Sequence, residues 1–139
     1  MNFKIIGKYI KKVDFDIPNH NVFFLLAKDI PNYKINIDIK SNQIKEKILE
    51  VQTTLSLLPN DKKGEKINTE IVYSSIIELN EKIDNKQEIE KIILIDVPTK
   101  IYPELRRIFI FFFEYSGFKD VKISEKIDFQ KLYNFRKIQ

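Results

Sequence analysis

Between Tyr33 and Ile77 the chain alternates apolar and polar residues in three separate stretches, and a period of two admits only extended backbone. Tyr33 to Lys40 is the cleanest, with Tyr33, Ile35, Ile37 and Ile39 set against Lys34, Asn36, Asp38 and Lys40. Ile48 to Leu58 sets Leu49, Val51, Leu55 and Leu57 against Glu50, Gln52, Thr54 and Ser56. Lys66 to Ile77 sets Ile67, Thr69, Ile71 and Tyr73 against Asn68 and Glu70, and the PNDKKGE stretch Pro59 to Glu65 before it reads as a hairpin loop. A fourth stretch, Lys8 to Ile17, places Tyr9, Val13, Phe15 and Ile17 on one side and Lys12, Asp14 and Asp16 on the other. Lys11 interrupts its apolar side and Ile10 its polar side, and Pro18-Asn19 ends it. One apolar side per strand predicts a four-stranded antiparallel sheet, wetted on one face.

The second half changes period. Residues 20 to 30, HNVFFLLAKDI, read as a short helical turn or an irregular crossing. Ser74 to Lys91 reads as a polar loop with scattered isoleucines, and Ile92 to Ile95 as a short apolar segment ended by Asp96-Val97-Pro98. Pro103 suits the first turn of a helix that runs to about Ser116 and stops at Gly117. Asp128 is placed to cap a last helix from Phe129 to about Lys137. Strands followed by helices make an α+β fold. No repeat or linker divides the 139 residues, so residues 1–139 form a single expected domain.

The long helix carries an unbroken apolar run, Ile108 to Phe113, rich in phenylalanine. At 100° per residue, Leu105, Ile108, Phe109, Ile110, Phe112 and Phe113 cover roughly 200° of its circumference. Phe111 falls in the middle of the remaining strip, beside Glu104, Arg107 and Glu114, with Tyr115 on its edge. One sheet covers about half a helix, and each phenylalanine left wet forfeits about 1.5–3 kcal/mol of burial. The arc therefore predicts a helix held between its own sheet and another subunit.

Composition narrows the chemistry. There is no cysteine, which removes disulfides, thiolate metal sites and thiol nucleophiles together. The single histidine, His20, has no Ser, Cys or Asp constellation beside it, and the three glycines form no phosphate loop. Carboxylates such as Glu88 and Glu90 read as a solvated loop, with no metal pattern. No enzyme and no cofactor is expected. The N-terminal MNFKIIGKYIKK lacks an apolar stretch of signal-peptide length, and the apolar run of the long helix is far shorter than the roughly 18 residues of a membrane span. A cytoplasmic protein without direct membrane insertion is expected. The net charge of +4 raises a nucleic-acid partner. The lysines, however, are interspersed with acids, and the polar strand faces lack aromatic residues, so no nucleic-acid binding is expected.

Three stretches together resemble the SecB family of bacterial protein-export chaperones. They are YIKKVDFDIPN (Tyr9 to Asn19), TEIVYSSIIEL (Thr69 to Leu79) and VPTKIYPELRRIF (Val97 to Phe109). The spacing from Gly117 to Phe129 matches as well. The resemblance implies a long helix and a C-terminal helix packed on one face of the sheet. It also implies a homotetramer, a dimer of dimers whose long helices meet at the centre. The implied function is ATP-independent holding of unfolded precursor proteins in apolar grooves and their delivery to the SecA translocation motor. The family's groove lies between the long helix, the crossover loop and part of the sheet, which nominates Ile76, Ile77, Leu79 and Ile83 in the loop and Tyr102 near the helix entry. SecA docking is expected at Asp16 and Glu70, which match two of the family's acids, with Asp14 adding an acid nearby and Lys12 standing where the family carries a third. The oligomer interface is expected at Thr69, Ile71 and Tyr73 on the sheet and at Ile108, Phe111, Phe112 and Tyr115 on the helix. The alternatives are a SecB-like guardian of an antitoxin and, from a different class, a basic nucleic-acid-binding module.

Overall fold

The computed structural model describes residues 2–29, 33–58, 68–118 and 121–138. Strand β1 (Phe3–Asp16) leads to helix α1 (His20–Asp29), strands β2 (Lys34–Lys45), β3 (Ile48–Leu58) and β4 (Asn68–Leu79), and then helices α2 (Lys86–Lys91), α3 (Val97–Tyr115) and α4 (Phe129–Ile138). The four strands form one sheet in the order β1-β4-β3-β2, with every pairing antiparallel. The α+β fold is as predicted. The loop expected at Pro59 to Glu65 lies outside the described residues.

The register assigns the faces. Leu55 pairs with Ile37 on one side and Ile71 on the other, and Ile71 pairs with Val13. Odd-numbered residues of β2, β3 and β4 therefore share an inner face, where Val51, Leu55, Ile71 and Ile77 pack with Leu105, Phe109 and Phe113 of α3 in one core. Val22 and Leu26 of α1 and Phe129 of α4 join the same cluster, so the helices lie on one side of the sheet.

Strand β1 departs from simple alternation. Its register steps between Ile5 and Gly7 and again between Ile10 and Lys12. Each step is a bulge that leaves one residue unpaired and reverses the faces. Val13 and Phe15 thus share the inner face with Ile10, while Tyr9 lies on the outer face with Lys12 and Asp14. The grouping of Tyr9 with Val13 is corrected. The interruptions at Ile10 and Lys11 were the bulge itself.

The expected polar loop from Ser74 to Lys91 is also corrected. β4 runs on to Leu79, and α2 begins at Lys86, where the Asn85 side chain accepts from the amides of Gln87 (2.8 Å) and Glu88 (3.4 Å). The helix does not start at Pro103. A π-helical turn, Ile92–Asp96, joins α2 directly to α3, with the Val97 amide donating to the Ile92 carbonyl. Pro98 sits at the junction of the π-helical turn and α3, and Pro103 lies inside the helix. The wider turn lets the helical path pass a proline that ordinarily ends one. At the other end the chain stops as expected. Gly117 has φ +96°, and the Phe118 amide donates 3.0 Å to the Phe113 carbonyl.

Candidate functional site

The residues expected to line a groove fall mostly inside the protomer. Ile77, Leu79, Ile83 and Tyr102 are all buried. Because β4 continues to Leu79, Ile77 and Leu79 become inner-face strand positions rather than loop residues. Tyr102 donates 2.6 Å to the Ser124 carbonyl and meets the Phe129 ring edge-on at 6.1 Å. Burial pushes its phenol pKa up, with nearby Arg106 opposing that shift. The turn containing Ile83 is pinned by the Lys47 ammonium, which donates to the Ile83 carbonyl. Ile76 is half-buried on the outer face, opposite Glu50.

An open apolar groove lies nearby, with a cavity of about 230 Å³. Ile37 and Ile39 of β2 contribute from the sheet, Leu94 from the π-helical turn, and Phe129, Leu132, Tyr133 and Phe135 from α4. The Asp128 carboxylate starts α4 by accepting 2.9 Å from the Lys131 amide. On that helix Phe129 and Tyr133 are buried, while Leu132 and Phe135 are 51% and 64% exposed. A short helix with apolar residues on two sides was visible in the sequence. That its second apolar side borders a cleft depends on where the π-helical turn places Leu94.

The outer sheet face gathers the three acids expected to dock a basic partner. Asp14 pairs directly with Glu70, and Asp16 is the next outward residue of β1. The Lys12 ammonium lies 3.6 Å from the Glu70 carboxylate. The register thus brings the acids together and places a cation among them. Further along that face, Glu50 accepts from the Tyr9 hydroxyl and, at 2.7 Å, from the Ser74 hydroxyl. Those two hydrogen bonds hold its pKa below the ordinary value of 4.5.

The residues expected at subunit contacts divide in two. Thr69, Ile71 and Tyr73 are buried within the protomer, the Thr69 hydroxyl taking a 3.2 Å bond from the Leu57 amide. Their burial comes from the protomer's own inner-face core. Ile108 and Phe112 are half-buried, but Phe111 and Tyr115 are 51% and 79% exposed, their rings 4.5 Å apart. Beside them Glu104 accepts from Lys8 (2.7 Å) and from the Tyr73 hydroxyl (2.8 Å), a link between α3, β1 and β4. The Lys8 bond, then the Tyr73 bond, lower the Glu104 pKa. Desolvation, then Glu104, raise that of Tyr73 to about 12.

Among the described residues no group of three His, Asp or Glu is placed to hold a metal, and no helix is long and apolar enough to cross a membrane. His20 is exposed at the start of α1. An antiparallel sheet with helices packed on one face and an open apolar cleft beside α4 presents a surface suited to binding apolar groups.

Comparison with known proteins narrows that reading. The family model described as preprotein translocase subunit SecB matches residues 1–139. A provisionally named protein-export protein SecB of Pelagibacter ubique is 43% identical over 135 residues, 97% of this chain and 96% of the relative. Protein-export protein SecB 1 of Gluconobacter oxydans is 27% identical, covering 95% of this chain and 80% of the relative, and protein-export protein SecB of Rhodospirillum rubrum is 26% identical with the same coverage. The chain belongs to the SecB family.

Proposed function

We propose that this chain, a protein-export chaperone by family and not an enzyme, holds unfolded precursor proteins in the α4–β2 groove without ATP and hands them to SecA. The observation that carries the reading is the open apolar groove, rimmed by the exposed Leu132 and Phe135. Apolar client segments there exchange water for side-chain contact, which needs no nucleotide and no reactive group. Ile77, Leu79, Ile83 and Tyr102 act from beneath, as the packed layer that keeps the groove's walls in place. Ile76 lies on the far face and serves a client only where the chain wraps round the edge of the sheet. Weak contacts at several sites on one assembly add through effective concentration. The working form is a homotetramer in the cytoplasm, in which Phe111 and Tyr115 are covered by other subunits. The acids Asp14, Asp16 and Glu70 receive a basic segment of SecA in a salt-sensitive contact.

Dilution of a denatured client into buffer with the protein and no nucleotide is expected to suppress the rise in scattered light. Leu132→Asp, at an exposed position, is expected to abolish most of that suppression while the native mass is unchanged. Full suppression by the variant at equal concentration would overturn the assignment of the groove. Glu70→Lys is expected to weaken titration with SecA without changing client holding; superimposable curves for variant and parent would remove the acid face from the reading.

A further inference from the structure

Helix α4 supplies one wall of the groove, and little in its own sequence keeps it there. It has ten residues, a length at which an isolated helix is marginal in water, so contacts made elsewhere set its position. Phe129 and Tyr133 are its buried anchors, while Leu132 and Phe135 are more than half exposed. The chain reaches α4 through residues 121–128, which adopt no regular secondary structure. A connector of that kind has no ladder or helix to bond its carbonyls, and they turn to side chains or to water.

Two side chains of α3 take hold of it. The Tyr102 hydroxyl donates 2.6 Å to the Ser124 carbonyl, and the Arg106 Nε–H donates 3.1 Å to the Ile123 carbonyl. Four positions apart, Tyr102 and Arg106 stand one above the other on a single face of α3. They therefore grip adjoining residues of the connector shortly before α4 begins at Phe129. Packing backs the grip, since Ile123 is buried and the Tyr102 ring meets Phe129 edge-on. Neither donor is among the described residues that line the groove. Their bonds go to main-chain oxygens, so they fix the path of the connector and with it the point and angle at which α4 sets out.

We propose that Tyr102 and Arg106 are positioning residues for the groove, clamping the connector to α3 and thereby holding α4 opposite β2 and the π-helical turn. This rests on the reading of the α4–β2 groove as the client site. A client that enters a groove already in place does not have to order α4 on arrival, and such preorganisation raises affinity.

Substitutions at Arg106 separate the bond from charge and bulk. Glutamine places an amide N–H where arginine carries Nε, whereas methionine, of the same length, places a methyl group there. Tyr102→Phe removes only the hydroxyl. Arg106→Met and Tyr102→Phe should each speed amide hydrogen exchange of α4 about fivefold and leave β3 and β4 as in the parent. The double variant should raise the dissociation constant for reduced, carboxymethylated lactalbumin, a chain that stays unfolded in buffer, about tenfold. Replacing its methionine by glutamine should recover most of both effects. Parental exchange of α4 in the double variant, equal acceleration in β3 and β4, or no recovery with glutamine would each overturn the clamp. A loosened α4 with a parental dissociation constant would overturn the positioning role. Leu132→Asp separates that result from a failure of the groove reading: if it too binds as the parent does, the groove is not the client site.

Discussion

Single side chains carry two of the sharper expectations. Gly117 adopts φ +96°, and a Cβ there would lie 3.1 Å from the Phe23 ring. Gly117→Ala thus meets both a strained backbone and a crowded neighbour, and its destabilisation should exceed the about 1 kcal/mol of a conformational penalty alone, read as a lower denaturant midpoint. Glu104 contributes to acid sensitivity. Its pKa lies below 4.5 in the folded protein because of Lys8 and Tyr73, with Arg107 contributing from its own helix. Folding therefore gains stability above the unfolded value, and that gain is lost as pH falls through the lowered folded value. Lys8 and Glu104 are each more than a third exposed, so the gain is small and screened by salt. Glu104→Gln should flatten part of the acid limb of a stability–pH curve, to which Glu50, whose pKa is lowered on the opposite face, also contributes. An unchanged acid limb would refute the role given to Glu104.

At the scale of elements, strands were legible and the long helix only in part. β3 has the predicted bounds, because alternation over Ile48 to Leu58 reports one thing, a strand with one dry face. β1 was read with its faces mixed, since two bulges shift the period and sequence alone does not say which residue is unpaired. The helical path was read from Pro103 and in fact begins at Lys86, because proline marks a stop unless a wider turn takes up its steric demand. The π-helical turn matters to the site as well as to the path. It contributes Leu94 to the groove, opposite Leu132 and Phe135. Asn85→Ala removes the cap that starts α2 and should cost about 1 kcal/mol, measured by chemical denaturation; no change would mean that packing alone holds α2.

For the whole molecule the decisive quantity is how much apolar surface the protomer leaves wet. Phe111 and Tyr115 on α3, and Leu132 and Phe135 on α4, are four large side chains more than half exposed on two helices. The two pairs are assigned different fates, the first covered by another copy and the second kept open for clients. Phe111→Asp should therefore lower the native mass in light scattering, while Leu132→Asp should leave it unchanged and impair holding. An unaltered mass for Phe111→Asp would remove α3 from the assembly. The sequence by itself determined the sheet, the α+β order and the exposure of Phe111 in the protomer, because each follows from local periodicity. Only the tertiary structure decided that Ile77, Leu79, Ile83 and Tyr102 are packed inside, and that the open cleft is bordered by α4. Burial depends on which elements cover a residue, and that covering comes from contacts between positions far apart in the chain, which no local pattern records.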